Sequence, residues 1–204
     1  MVNLGLAGIA YLIGMIPQAY VFGKIFKFEH FLKIDPVAMT PERVLQEFFH
    51  WPVFLTLLID ILKGLLVAYL GIRFGQGTAM PLILLLTAII ARNYNIIVGL
   101  KGGKGIALLS GGLVFIAPLS LVPLFIFSFI MTIITGDIDY GLGLGALILT
   151  PTLFILTFEM TTILTGILLS IIIFTKHMDY VDAGAIRTKR EHYSSDRNPF
   201  RHMR

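Results

Sequence analysis

The sequence predicts an all-α integral membrane protein: a seven-helix transmembrane bundle with its N-terminus outside and its C-terminus in the cytoplasm. Three observations carry that reading. Hydrophobic residues make up 56% of the chain and charged residues 14%, with a mean hydropathy of +0.86, a balance that points away from a soluble domain. The apolar residues gather in runs long enough to cross a hydrocarbon core of about 30 Å. Lys and Arg gather in breaks between those runs and in the tail, as cytoplasmic segments require.

Leu4 to Ile25 is apolar apart from Gln18 and Lys24 near its end and reads as the first span. Met1 to Asn3 carries no Lys or Arg and no convincing cleavage site follows, so the sequence predicts a retained helix rather than a signal peptide. Lys27 to Trp51 is polar; Thr40-Pro41-Glu42 reads as an N-cap with a first-turn proline, predicting a short surface helix from Pro41 to Phe49. Pro52 to Arg73 forms the second span, interrupted by Asp60 and Lys63 one helical turn apart. The third covers about Ala79 to Val98, with Arg92, Asn93 and Asn95 toward its end.

Ile106 to Thr135 is uncharged over 30 residues. As one helix it would reach about 45 Å, past the bilayer core. Pro118 and Pro123 divide it into Ile106 to Ala117 and Leu119 to Thr135. Asp137 and Asp139 mark the next turn, and Leu142 to Thr175, with Pro151 early and Glu159 near its middle, is again too long and reads as two shorter helices. Seven spans place Lys27 to Trp51, the Lys101 to Gly105 loop and the basic tail on one side, which is cytoplasmic by charge. Merging Ile106 to Thr135 into one span would send the arginines of the tail outside.

Residues 1–182 thus form the membrane domain, and 183–204 a basic cytoplasmic tail, polar and without apolar period from about Ala183, that is expected to be disordered. The net charge of +4 is concentrated from Lys176 onward. It suits an anionic lipid face, and nothing supplies the folded basic surface that nucleic acid needs. With no cysteine, there is neither a disulfide framework nor a thiol nucleophile.

The chemistry centres on Gly99 to Ala107, Gly-Leu-Lys-Gly-Gly-Lys-Gly-Ile-Ala. Glycines 102, 103 and 105 leave backbone amides uncovered, Lys101 and Lys104 add cations, and Ile106 opens a helix whose first N–H groups are unpaired. One reading is a phosphate cradle at the membrane surface; the other is a flexible cytoplasmic turn. It is not a Walker A loop, because Gly105 follows Lys104 where Ser or Thr would hold magnesium.

Ionisable groups inside spans cost roughly 2.5 to 3.5 kcal/mol on insertion scales and need partners or a wet cavity. Asp60 and Lys63 either neutralise each other or Lys63 faces the same cavity as Lys104. Arg92 and Asn93 either turn to that cavity or snorkel to the interface. His177 sits where the last span meets the cytoplasm, the histidine best placed to meet the glycine loop. Glu159 is lone and mid-span. His30, His50, His192 and His202 have no metal-site spacing, and no Ser-His-Asp order can be assembled.

Ile13-Gly14-Met15-Ile16-Pro17, Asp60-Ile61-Leu62-Lys63-Gly64, Asn93-Tyr94, Gly99 to Ala107 and Lys176-His177, in that order, resemble the bacterial acyl-phosphate:glycerol-3-phosphate acyltransferases of the PlsY family. The resemblance covers Leu4 to about His177. It implies a multi-pass enzyme of the bacterial plasma membrane, acting in phospholipid synthesis without metal or cofactor. An acyl group would pass from acyl phosphate to the 1-hydroxyl of glycerol 3-phosphate, giving lysophosphatidic acid. It further implies catalytic roles for Lys104 and His177, and substrate binding by Lys63, Asn93, Lys101, Gly102, Gly103 and Gly105.

The sequence also departs from the family pattern. A Gly-Ser-Gly-Asn-x-Gly-Ala-Thr-Asn run followed by Arg falls on Asp35 to Arg43, here Asp-Pro-Val-Ala-Met-Thr-Pro-Glu-Arg, with Gln46 at the Arg position. Arg92 replaces a histidine, Asp139 a serine, and His177-Met178-Asp179-Tyr180 stands for His-x-Glu-Asn. Arg43 and Arg92 are the candidates for the missing positive charge at the substrate, while an ionised Asp139 would oppose phosphate binding. The alternative function is an impaired relative that binds or transports membrane anions or lipid phosphates.

Overall fold

The structure, a computed structural model, describes residues 2–18, 51–99 and 102–196, and the regular structure among them is entirely helical. The helices are α1 (Val2–Met15), α2 (Trp51–Phe74), α3 (Met80–Asn93), α4 (Ile106–Ile116), α5 (Leu121–Thr135), α6 (Ile138–Ala146), α7 (Leu149–Thr157) and α8 (Met160–Asp196). Short 3₁₀ turns occupy Ile96–Val98 and Pro118–Ser120.

Four apolar segments are long enough to cross a bilayer, Phe54–Phe74, Pro118–Thr135, Ile138–Thr157 and Met160–Asp179; Val2–Met15, Met80–Asn93 and Ile106–Ile116 are shorter apolar helices. Among the described residues that makes seven apolar segments, the number expected, although their boundaries differ. Pro118 divides α4 from α5 as expected, with Ser120 Oγ donating to the Ala117 carbonyl at 2.6 Å. The run expected as two helices within Leu142 to Thr175 instead starts at Ile138. It breaks once at Leu147-Ile148 and again at Phe158-Glu159. Pro151 has no N–H to give the Leu147 carbonyl, which accounts for the first break. There Ser170 Oγ of α8 donates to the Ala146 carbonyl at 2.8 Å and lies 3.0 Å from Thr150 Oγ1.

Three further expectations are corrected. The first helix ends at Met15, ahead of Pro17, rather than at Ile25; residues 19–25 and the Pro41 to Phe49 helix lie outside the described residues. The tail does not lose regular structure at Ala183, since α8 continues to Asp196. Ala183, Ala185, Arg187, Lys189, Arg190 and Glu191 are strong helix formers, and propensity extends the helix without an apolar period. Glu159 is not mid-span but in the α7–α8 connection, where its Oε2 accepts from Thr78 Oγ1 at 2.8 Å.

The bundle is apolar outside as well as inside. Leu84, Leu85, Ile89, Leu108, Leu109, Leu113, Leu169 and Ile173 fill the centre, while Phe125, Phe129, Ile133 and Ile134 of α5 point outward. An exterior of that kind is solvated by acyl chains, so helix contact depends on close fit more than on hydrophobic burial. The α2–α4 crossing shows such a fit. A Cβ at Gly64 would lie 2.0 Å from the Leu108 carbonyl oxygen, and one at Gly111 2.1 Å from that of Ile61. Only glycine lets these backbones touch, and the contact holds the start of α4 beside the polar face of α2. On the other side α6 packs between α5 and α8, and α8 reaches α3.

Candidate active site

The glycine loop is held at both ends. Asn95 is fully buried; its Nδ2 donates to the Met15 carbonyl at 2.6 Å and its Oδ1 accepts from Ile97 N at 3.0 Å. This ties the end of α1 to the entry of the loop. Gly99 closes the 3₁₀ turn at φ +66°, and Gly105 caps α4 at φ +78°, both in the left-handed region that glycine occupies without strain. At the start of α4, Leu109 N is the donor that reaches the Gly105 carbonyl. The N–H groups of Ile106, Ala107 and Leu108 therefore precede the first intrahelical bond and face the loop, at the positive end of the helix dipole.

Between these ends the loop presses on the end of α3. A Cβ on Gly102 would lie 2.0 Å from the Arg92 carbonyl oxygen, and one on Gly105 2.7 Å from Asn93 Oδ1. A Cβ on Gly103 would lie 2.5 Å from Arg92 Nη1. Asn93 is fully buried, and neither its Nδ2 nor its Oδ1 has a hydrogen-bond partner among the described residues. Buried polar atoms left in that state cost about 1–3 kcal/mol, a cost usually tolerated where a ligand completes the pairing.

Two ionic clusters flank the loop. In the first, Arg92 turns inward instead of snorkelling: its Nη2 lies 3.0 Å from Asp60 Oδ2 and its Nε 3.2 Å from both Asp60 oxygens. Gln18 Nε2 also donates to Asp60. Lys63 donates to the Ile16 carbonyl at 2.7 Å and to Gln18 Oε1. Asp60 thus takes its ion pair from α3 rather than from its own helix, and Lys63 joins the loop's surroundings through Gln18, Asp60 and Arg92. Among the described residues this cluster sets two cations, Arg92 and Lys63, against one carboxylate, Asp60.

In the second cluster Lys104 Nζ is ion-paired with Asp139 Oδ1. Asp139 is buried in the first turn of α6, which Asp137 caps by accepting from Asp139 N at 2.7 Å and Tyr140 N at 3.1 Å. His177 is fully buried on α8 within electrostatic reach of Lys104 and Asp139, not solvated at an interface. Its Nδ1 lies 2.8 Å from the Ile173 carbonyl oxygen. A carbonyl only accepts, so Nδ1 carries the proton, and in the neutral ring Nε2 is then the acceptor. That Nε2 is buried without a partner among the described residues. Beside it Lys176 is buried with Nζ 5.0 Å from the centre of the Tyr94 ring, a cation–π contact joining α8 to α3.

The structure therefore gathers Lys104, His177, Asn93, Arg92, Gly102, Gly103 and Gly105 around one loop, with Lys63 linked to Arg92 through Gln18 and Asp60. Lys101 and Arg43 lie outside the described residues. Gln18 and Asn95 enter the site without having been singled out for it; a buried polar residue next to Pro17 was the available signal for Gln18. No three His, Cys, Asp or Glu side chains among the described residues cluster as metal ligands.

The family model described as glycerol-3-phosphate acyltransferase matches residues 4–183. The chain belongs to that family. "Glycerol-3-phosphate acyltransferase 2" of Dehalococcoides mccartyi is 32% identical over 143 residues, covering 69% of this chain and 68% of the relative. The protein of the same description from Moorella thermoacetica is 32% identical over 133 residues, covering 65% and 68%. The fold is similar to a crystal structure of PlsY, an integral membrane glycerol 3-phosphate acyltransferase, in its glycerol 3-phosphate form. The TM-score is 0.70 with 19% identity, over 88% of this chain and 90% of that one. Arg92 and Asp139, two of the residues at which the sequence departs from the expected pattern, are each held in an ion pair, Arg92 with Asp60 of α2 and Asp139 with Lys104 of the loop.

Proposed function

We propose that this membrane acyltransferase passes a fatty acyl group from acyl phosphate to the 1-hydroxyl of glycerol 3-phosphate, at the cytoplasmic leaflet of a bacterial plasma membrane. The observation that carries the reading is a glycine-lined helix start bordered by buried polar atoms that have no partner among the described residues: both of Asn93 and Nε2 of His177. Two phosphate-bearing substrates must meet there, and amide dipoles with fixed cations oppose the crowding of their negative charge. The hydroxyl oxygen bonds to the acyl carbon, the bond from that carbon to the phosphate oxygen breaks, and phosphate leaves with the electron pair. Overall it also takes up the hydroxyl proton. Because an acyl phosphate is already activated, positioning supplies much of the acceleration and no protein nucleophile is needed.

In this reading Gly102, Gly103, Gly105 and Lys101 surround phosphate, Arg92 and Lys63 add positive charge from α3 and α2, and Asn93 completes its hydrogen bonds with a substrate. Arg43 is a further candidate cation. Lys104 and His177 work at the reacting centre. The basic residues of the loop and tail support an outside N-terminus and a cytoplasmic C-terminus. The test is to incubate purified protein in detergent with palmitoyl phosphate and glycerol 3-phosphate and to identify the product by mass spectrometry. Lysophosphatidic acid acylated at the 1-position is expected. Stabilisation by phosphate without any acylated product would overturn the reading in favour of an anion binder.

A further inference from the structure

Asp139 poses a problem that phosphate binding does not solve. A buried carboxylate beside an anion cradle weakens the cradle, yet here it is built in: capped from Asp137, buried on α6 and paired to the loop lysine. Lys104 engages Oδ1, and no donor to Oδ2 is found among the described residues. Asp139 and Gly143 are four residues apart and share one face of α6. A Cβ on Gly143 would lie 3.0 Å from His177 Cβ, so that face is the one packed against His177. The α6–α8 contact therefore brings two hydrogen-bond acceptors, a carboxylate oxygen and the lone pair of His177 Nε2, within electrostatic reach of each other and of Lys104.

The consecutive loop residues Gly103 and Lys104 contact different clusters. Gly103 rests on the Arg92 guanidinium, in a cluster with an excess cation among the described residues, whereas Lys104 is neutralised by Asp139. A small molecule lying across this pair meets positive charge at one end and acceptors at the other. That polarity matches an anion carrying two hydroxyl donors on neighbouring carbons.

The geometry points to Asp139 as the residue that reads the acceptor's hydroxyl groups, taking a hydrogen bond from a glycol unit whose phosphate lies on the Gly103–Arg92 side. The inference rests on acyl transfer to glycerol 3-phosphate being the reaction, and it assigns the acceptor's orientation within that site. An ionised carboxylate only accepts, so an acceptor lacking the 2-hydroxyl forfeits this bond.

The test compares glycerol 3-phosphate with 3-hydroxypropyl phosphate, which lacks that hydroxyl, in the wild type, Asp139→Ala and Asp139→Asn. A hydrogen bond to a charged group sets the expected wild-type preference in kcat/KM at about 10- to 100-fold. In Asp139→Ala the preference should collapse to within about threefold. Asp139→Asn, whose amide oxygen still accepts, should keep part of it. A purely structural role would lower both acceptors equally and leave the preference intact, and that result would overturn the inference.

Ligand-induced shifts in melting temperature, measured with the same two acceptors, give the comparison without turnover. Discrimination by the wild type that Asp139→Ala abolishes would sustain Asp139 as the hydroxyl reader even if no acylated product formed and the proposed reaction failed. Equal shifts in the wild type would overturn it.

Discussion

The guanidinium of Arg92 lies directly under Gly103, where a methyl group on the glycine would come within 2.5 Å of Nη1. The loop can occupy its position because that residue has no side chain, and Arg92 can occupy its own because Asp60 holds it from α2. Gly103→Ala should therefore displace either the loop or the arginine. Overpacking of this kind costs about 1–3 kcal/mol. The expected outcome is a lower melting temperature with acyl transfer reduced far more than stability, measured on the same detergent preparation.

Arg92 and Asp60 are both largely buried, so removing one strands the other. Arg92→Ala should cost about 3–5 kcal/mol, the range for breaking a buried pair. The double variant Arg92→Ala/Asp60→Asn should recover a substantial part of that stability. Denaturation in detergent across the double-mutant cycle checks this; additive effects would mean that the pair is not coupled.

Asn93 inverts the usual relation between burial and stability. With both side-chain polar atoms unpartnered, replacement by an apolar residue of similar volume, Asn93→Leu, should leave stability unchanged or raise it by about 1–3 kcal/mol. Acyl transfer should fall sharply. A variant that was destabilised and still fully active would assign Asn93 to structure alone.

The α2–α4 crossing sets where the loop ends. Gly64→Leu drives a side chain into the Leu108 carbonyl, 2.0 Å from where its Cβ must lie. Helix separation should follow, seen as loss of folded protein in detergent extracts. The neighbouring outward-facing Leu62→Ala should have little effect, since that side chain already faces lipid.

Much of this was legible in the chain. The glycine loop announced itself by composition, and prolines 118 and 151 marked real breaks. The pairs that give the site its electrostatics were not legible as pairs. Arg92 and Asp60 are 32 residues apart, Lys104 and Asp139 are 35 apart, and helical spacing relates only neighbours three or four apart. Asp60 and Lys63 had that spacing and invited a local pairing; the cation from α3 was geometrically better placed and won. Asp139 looked like an obstacle to phosphate because its partner, Lys104, had been assigned wholly to the substrate. The burial of His177 was hidden for a related reason. Its position near the end of an apolar run suggests an interface, but α6 lies across it and α8 runs on beyond it.

The most direct measurement is release of inorganic phosphate from palmitoyl phosphate, with and without glycerol 3-phosphate, by the wild type, Lys104→Ala and Lys104→Ala/Asp139→Asn side by side. The account predicts acceptor-dependent release by the wild type. It predicts none from either variant, because the double substitution relieves the stranded carboxylate without restoring the lysine. Undiminished acceptor-dependent release from Lys104→Ala would contradict the claim that the glycine loop is the seat of acyl transfer.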